Sequence, residues 1–134
     1  MEQEHIKRMS EKKRFSLVAR LKSSDHALRG LGIFIRTAHH LWVEIFFIIL
    51  GIYLGFVLHL SNIEWVLVAL SFGLIVIAEA FNTAIEIDID LTSPNYHPYA
   101  RDTKDVAAGA VSLSIIVAGI MGLLIYLPKL ISLL

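Results

Sequence analysis

Three long, mainly apolar stretches constrain the fold of this 134-residue chain more than any other feature. They predict membrane helices over residues 41–60, 65–90 and 104–127. At about 1.5 Å per residue, each helix is long enough to cross a hydrocarbon core of about 30 Å. Backbone polar groups find no water in lipid, so helices, which satisfy these groups internally, are expected. The sequence therefore predicts an all-α integral membrane protein with one membrane domain over residues 1–134.

Basic residues are distributed unevenly around these stretches. Residues 1–36 contain nine Lys or Arg against four Asp or Glu, whereas the turn at 61–64 contains no basic residue. The loop at 91–104 contains Arg101 and Lys104. Because cytoplasmic loops of membrane proteins carry the basic excess, we predict that the N-terminus and the 91–104 loop face the cytoplasm.

The N-terminal region divides into two predicted parts. Residues 1–14 are predicted to be a flexible basic tail. Over residues 15–40, apolar side chains recur at broadly helical intervals among Lys and Arg, which predicts an amphipathic surface helix on the inner leaflet. A basic segment beside long apolar stretches faces anionic lipid more often than nucleic acid, so we expect no nucleic-acid partner.

Polar side chains interrupt the second apolar stretch near its C-terminal end. At about 100° per residue, Asn82, Glu86 and Asp90 lie about −60°, −20° and +20° from Glu79, so the four share an arc of about 80°. Asp88 lies about 180° from Glu79 and is assigned to a hydrated helix end. Ionisable groups cost roughly 2.5–3.5 kcal/mol each at the centre of a membrane helix, so their clustering indicates a functional site.

Neighbouring carboxylates repel one another unless a cation lies between them, and their hard oxygen atoms suit Mg²⁺. A second interpretation is that Glu86, Asp88 and Asp90 lie beyond the bilayer as a hydrated helix end. The loop that follows could hold a nucleobase or simply connect two helices. Lys104, at the start of the third stretch, could pair with phosphate oxygens or extend towards lipid headgroups. The residue pattern leaves these alternatives open.

A mixed set of polar residues keeps the spacing of a known family: Glu79, Asn82, Glu86, Asp90, His97, Lys104 and Asp105. Together with the small residues at 107–111, this set resembles the prokaryotic diacylglycerol kinase family, which includes the undecaprenol kinases of Gram-positive bacteria. The resemblance covers about residues 24–127. It is strongest over 79–111.

The resemblance implies a homotrimer in a bacterial-type inner membrane, with one surface helix and three spans in each chain. Active sites in this family are built between neighbouring protomers. The implied activity is that of an ATP-dependent lipid kinase, which transfers the γ-phosphoryl group of ATP to the hydroxyl of diacylglycerol or undecaprenol. The implied cofactor is Mg²⁺.

The resemblance also implies roles for individual residues. Glu79 matches the catalytic base, and Glu86 matches a ligand of the metal that bridges the phosphates. The remaining matches are with nucleotide- or phosphate-binding positions: Asn82, Asp90, His97, Lys104 and Asp105.

One position departs from the family. Aligning Gly30-Leu31 places Ala38 where a second acidic metal ligand is expected, and alanine cannot bind a metal. The alignment is offset locally, or catalysis is lost and the chain binds lipid or nucleotide without turnover, or a nearby side chain compensates. The candidates for compensation are His39, His40 and Glu44. An ion or proton pathway is a weaker alternative, because the outer halves of the second and third stretches lack carboxylates.

Overall fold

The computed structural model describes the backbone of residues 17–38 and 40–133 and the side chains of residues 24–38 and 40–133. Within these ranges the chain forms four helices: α1 (Leu17–Thr37), α2 (Leu41–Val57), α3 (Asn62–Thr92) and α4 (Pro98–Ile131). The prediction of an all-α chain is confirmed. The tail predicted at 1–14 and the candidate His39 lie outside the described residues.

Two helices, α3 with 31 residues and α4 with 34, are each long and apolar enough to cross a membrane. Helix α2 has 17 residues. A third span arises only if α2 is counted together with Ser24–Thr37 across the break between α1 and α2. The helices therefore support a membrane protein, whereas the count of three spans and the homotrimer stay predictions.

The described part of the chain divides into two compact units, with the boundary between residues 33 and 34. In the first unit, the described part of α1 carries exposed apolar side chains beside exposed basic ones. Leu28 and Leu31 are 68% and 55% exposed, and Arg29 lies between them in the sequence. This mixture is what a helix on a membrane surface requires, and the surface location stays a prediction.

The turn between α2 and α3 is closed by local hydrogen bonds. His59 adopts a φ of 50°, and the Leu60 N–H donates to the Gly55 carbonyl at 3.0 Å. The Ser61 hydroxyl accepts from the Glu64 N–H at 3.4 Å, and the Glu64 carboxylate accepts from the Ser61 N–H at 2.7 Å. This capping box lets α3 begin at Asn62, before the predicted start at residue 65.

Helix α4 likewise begins earlier than predicted, at Pro98 rather than at residue 104. Proline is favoured at the first helical position because its missing N–H would have no partner there. At its other end α4 continues past Pro128 to Ile131, and Lys129 forms an ion pair with Glu64 of α3 at 3.1 Å.

Two glycines let α2 approach its neighbours closely. A Cβ atom added at Gly51 would lie 2.6 Å from the Phe72 ring, and one added at Gly55 would lie 2.6 Å from the Trp65 ring. The Tyr126 hydroxyl of α4 donates to the Gly51 carbonyl at 2.9 Å. Aromatic side chains of α3 and α4 therefore occupy the space that the two glycines leave open, and this contact fixes the position of α2 in the second unit.

Candidate active site

One face of α3 carries polar side chains that are almost fully buried. Glu79, Asn82 and Thr83 are 3%, 8% and 4% exposed. Asp88, which helical phase had separated from this set, is exposed. Thr83 was not assigned by the sequence analysis, although its spacing from Glu79 and Asn82 places it on the same side of the helix.

The side chain of Asn82 is fixed by its neighbour one turn along the helix. Its amide nitrogen donates to Oε1 of Glu86 at 3.2 Å. Its amide oxygen Oδ1 is buried and has no hydrogen-bond partner. Because the nitrogen is committed to Glu86, Asn82 presents a bare acceptor oxygen to its surroundings.

Helix α2 contributes a further buried carboxylate, Glu44. The side chain is 9% exposed, and both of its carboxylate oxygens are buried without a hydrogen-bond partner. It lies close enough to Glu79 and to His40 for their charges to act on it. From the sequence, Glu44 is only one of three candidates to compensate for Ala38. An ionisable residue within an apolar segment is itself a functional signal, and Glu44 carries this signal in α2.

Ala38 lies in an apolar cluster and not in a polar site. It is buried with Phe34 and Leu41, and partly buried apolar side chains of α2 and α3 pack against these residues. A methyl group in this cluster contributes packing and offers no ligand. Any metal ligand from this part of the chain must therefore come from another position.

A second group of predicted residues lines an open pocket of about 320 Å³ at the junction of α3 and α4. This group consists of Asp90, His97, Lys104 and Asp105. Lys104 forms an ion pair with Asp90. Arg101, which the sequence analysis did not assign, also lines the pocket and lies 3.5 Å from Asp105.

The two groups are connected through α3. Asp90 is one turn beyond Glu86, a rise of about 6 Å, whereas Glu79 lies about 16 Å from Asp90 along the helix axis. The predicted site is thus divided into a buried group around Glu79, Asn82 and Glu86 and an exposed pocket that begins at Asp90. The pocket offers cationic and aromatic groups, and the buried group offers oxygen atoms.

The oxygen atoms of the buried group fit Mg²⁺, the metal that the family resemblance implies. In residues 24–38 and 40–133, no three His, Asp or Glu side chains are grouped closely enough to enclose a metal ion. Mg²⁺ uses one or two carboxylates, completing its shell with water and substrate phosphates. Glu86 offers one carboxylate of this kind, and the Asn82 amide nitrogen holds it in place through the bond to Oε1.

An apolar cavity of about 540 Å³ lies between α2, α3 and α4. Glu44 is the one charged residue among the described residues on its wall, and Tyr126 also lines it. The cavity therefore places apolar walls next to the carboxylate that neighbours Glu79.

Comparison with known proteins gives a consistent result. The sequence model of the family described as prokaryotic diacylglycerol kinase matches residues 25–126. The chain is 40% identical over 109 residues to an undecaprenol kinase of Bacillus subtilis (strain 168), which covers 81% of this chain and 89% of that protein.

Two further relatives carry a related name. A diacylglycerol kinase of Synechocystis sp. is 38% identical over 114 residues, covering 84% of this chain and 65% of that protein. A diacylglycerol kinase of Helicobacter pylori (strain 26695) is 35% identical over 74 residues, covering 55% of each. No solved structure gives a significant match to the chain.

Proposed function

The chain belongs to the prokaryotic diacylglycerol kinase family, and from this premise we propose that it transfers the γ-phosphoryl group of ATP to the hydroxyl of a membrane lipid. The acceptor is undecaprenol or diacylglycerol, the lipids named in its relatives. The observation that carries the proposal is the placement of Glu79. This carboxylate is 3% exposed on a helix able to cross a membrane, and the same helix ends at the pocket lined by Lys104 and His97.

Glu79 is the general base in this proposal. The lipid hydroxyl oxygen forms a bond to the γ-phosphorus while its proton passes to the Glu79 carboxylate. The bond between the γ-phosphorus and the oxygen that bridges it to the β-phosphate breaks, and ADP leaves. A base positioned in this way contributes typically about 10²- to 10⁴-fold to a rate.

The pocket at the junction of α3 and α4 binds the nucleotide. When ATP binds, Lys104 leaves Asp90 and pairs with the phosphate oxygens instead. The charge-assisted hydrogen bond to the carboxylate is replaced by one to phosphate. Oδ2 of Asp105 lies 3.5 Å from Nε of Arg101, and this ion pair keeps a second cation at the pocket wall. The rings of His97 and Tyr99, with centroids 5.7 Å apart, offer a surface for the base.

Asn82 and Glu86 serve the phosphate end of the nucleotide. The amide of Asn82 orients Glu86 by donating to its Oε1 atom at 3.2 Å. When bound, Mg²⁺ neutralises the charge on the phosphates, and Glu86 is its proposed ligand.

The apolar cavity of about 540 Å³ receives part of the hydrocarbon chain of the acceptor. Its wall includes Glu44, which neighbours Glu79, so a lipid chain in the cavity brings its polar end towards the base. We further propose a homotrimer with three spans in each chain, in a bacterial-type inner membrane with a cytoplasmic N-terminus.

The proposal is tested with purified protein in mixed micelles, labelled ATP, and undecaprenol or diacylglycerol offered separately. We expect label to appear in one or both lipids and to fall at least about 100-fold in Glu79→Gln, because the base is removed. Asp88→Asn, which removes an exposed carboxylate from the opposite face of the same helix, should retain activity. Absence of transfer to both lipids by the unchanged chain would show that the proposal is wrong.

A further inference from the structure

Two cationic side chains of α4, Arg101 and Lys104, line the pocket of about 320 Å³. They are three residues apart in the sequence, so they are neighbours on the surface of the helix. Among the described residues, they are the two Lys or Arg side chains on the wall of this pocket. The family resemblance implies a phosphate-binding role for Lys104 and none for Arg101. The pocket therefore holds a positive charge whose purpose is open.

The two cations have different carboxylate partners. Lys104 pairs with Asp90 of α3, whereas Arg101 pairs with Asp105, four residues further along α4. The side chains of Arg101 and Asp105 are 68% and 67% exposed. An exposed ion pair of this kind contributes little to stability, so a phosphate can take the place of Asp105. The guanidinium group suits this exchange, because its planar set of five N–H donors can bind two phosphate oxygens together.

Arg101 lies between two aromatic rings and Lys104 along α4. The rings are those of His97 and Tyr99 at the start of the helix, which are proposed above to contact the adenine. Arg101 is about 3 Å beyond Tyr99 along the helix axis, and Lys104 is about 4.5 Å beyond Arg101. A nucleotide whose adenine lies at the rings therefore passes Arg101 before it reaches Lys104.

Helix α3 indicates which end of the pocket meets the reacting phosphate. Lys104 is joined to α3 through Asp90, and Glu86 and Glu79 lie about 6 and 16 Å from Asp90 along that helix, away from the connecting loop. Arg101 is on the loop side of Lys104. Because Glu79 is the proposed general base, the γ-phosphate must point past Lys104 and away from the loop. The phosphate attached to the ribose then falls at Arg101.

We propose that Arg101 binds the α-phosphate of the nucleotide, whereas Lys104 binds the phosphates beyond it. This inference rests on the proposed function, because it orients ATP in the pocket of that reaction. It predicts that Arg101 contributes to the binding of every adenine nucleotide, including AMP. Lys104 contributes only where a β-phosphate is present.

The test compares adenosine, AMP, ADP and ATP as ligands of the purified full chain in mixed micelles without an acceptor lipid. Each compound displaces labelled ATP, which gives a Kd for weak ligands as well as strong ones. Arg101→Gln should raise the Kd of AMP, ADP and ATP by a similar factor of about five, the size expected for one exposed ion pair. The Kd of adenosine, which has no phosphate, should not change.

Three further variants sharpen the comparison. Lys104→Met should raise the Kd of ATP and leave that of AMP unchanged. Arg101→Lys retains the positive charge without the planar fork, and it should recover part of the affinity that Arg101→Gln loses. Lys129→Met removes a cation that pairs with Glu64 at the opposite end of α3, so all four Kd values should stay the same.

Two results of this test would overturn the inference. An effect of Arg101→Gln on ATP alone would mean that Arg101 meets the terminal phosphates. Unchanged Kd values for all three nucleotides would mean that Arg101 extends towards lipid headgroups, as exposed cations near a membrane often do. Because Arg101 is exposed, its replacement should not unfold the chain, and an unchanged circular dichroism spectrum checks this point.

Lipid phosphorylation by the same preparations separates this inference from the proposed function. Transfer of label to lipid by a chain whose affinity for AMP does not depend on Arg101 would refute the inference alone. Binding of AMP that depends on Arg101, in a chain that phosphorylates neither lipid, would refute the proposed function alone.

Discussion

The Asn82 amide nitrogen donates to the Oε1 atom of Glu86 at 3.2 Å, one turn further along α3. This bond holds a carboxylate and an amide in one arrangement, with Oδ1 of Asn82 left unpaired. A hydrogen bond to a charged group contributes about 1.5–3 kcal/mol, which is enough to fix the orientation of a side chain. The carboxylate of Glu86 is therefore already oriented before any partner binds to it.

Replacing Asn82 with leucine should weaken the reaction of the proposed kinase. The change removes both the bond to Glu86 and the bare oxygen, and we expect kcat/KM for ATP to fall about 10- to 100-fold, in line with the loss of one charge-assisted bond. Steady-state kinetics at saturating lipid provide the measurement. Asn62→Leu makes the same substitution at the exposed start of α3 and should have little effect. A twofold change or less in Asn82→Leu would argue against its role.

Removing the charge of Lys104 should weaken ATP binding. Lys104→Met keeps the apolar stem and loses the ammonium group that lies at the pocket wall. We expect the Kd for ATP, measured by equilibrium dialysis, to rise about tenfold, since ion pairs with phosphate are among the stronger hydrogen bonds in proteins.

Lys129→Met is the matched control for Lys104→Met, because Lys129 forms its ion pair with Glu64 at the opposite end of α3. It should leave the Kd for ATP unchanged. The assignment of the pocket would be wrong if both variants bound ATP as the unchanged chain does.

The two glycines of α2 should tolerate substitution poorly. Gly51→Ala places a Cβ atom 2.6 Å from the Phe72 ring, and the ring must move to accept it. Overpacking of this kind costs typically about 1–3 kcal/mol, so the Tm of the purified protein should fall. At Gly73 of α3 an added Cβ meets no atom within 4 Å, so Gly73→Ala should be neutral or raise the Tm. A Tm that is equal in the two variants would contradict the packing described for α2.

Filling the apolar cavity should affect the lipid and not the nucleotide. Gly119 lines the cavity, and an added Cβ there meets no atom within 4 Å. Leucine at this position should fill part of the cavity proposed to receive the hydrocarbon chain of the acceptor. We therefore expect the KM for lipid to rise several-fold while the KM for ATP stays constant. Gly73→Leu, outside the cavity wall, serves as the control. A parallel rise in both KM values would indicate general disruption instead.

The sequence predicted those features that depend on periodicity. Apolar runs predicted the helices, and a rotation of about 100° per residue separated the exposed Asp88 from the buried Glu79 and Asn82. Helices α3 and α4 begin before the membrane segments predicted at residues 65 and 104, because a capping box at Ser61 and a proline at the first helical position extend helices beyond their apolar part.

Contacts between distant residues could not be read from periodicity. Lys104 pairs with Asp90 across the loop between α3 and α4, and the charge of Glu79 on α3 acts on Glu44 of α2. Both relationships depend on how helices are placed against each other, which spacing within one helix does not determine. The motif aligned position 38 with the metal, whereas the packing buries Ala38 among apolar groups.

The lengths of α3 and α4 have a consequence for how the two substrates arrive. Helices of 31 and 34 residues extend about 46 and 51 Å, well beyond a hydrocarbon core of about 30 Å. In the proposed reaction, ATP reaches the projecting ends by diffusion in three dimensions, whereas the lipid arrives by diffusion within the plane of the bilayer. The rate should therefore follow the mole fraction of acceptor in the membrane, so that diluting the acceptor with inert lipid slows turnover even when its bulk concentration is constant.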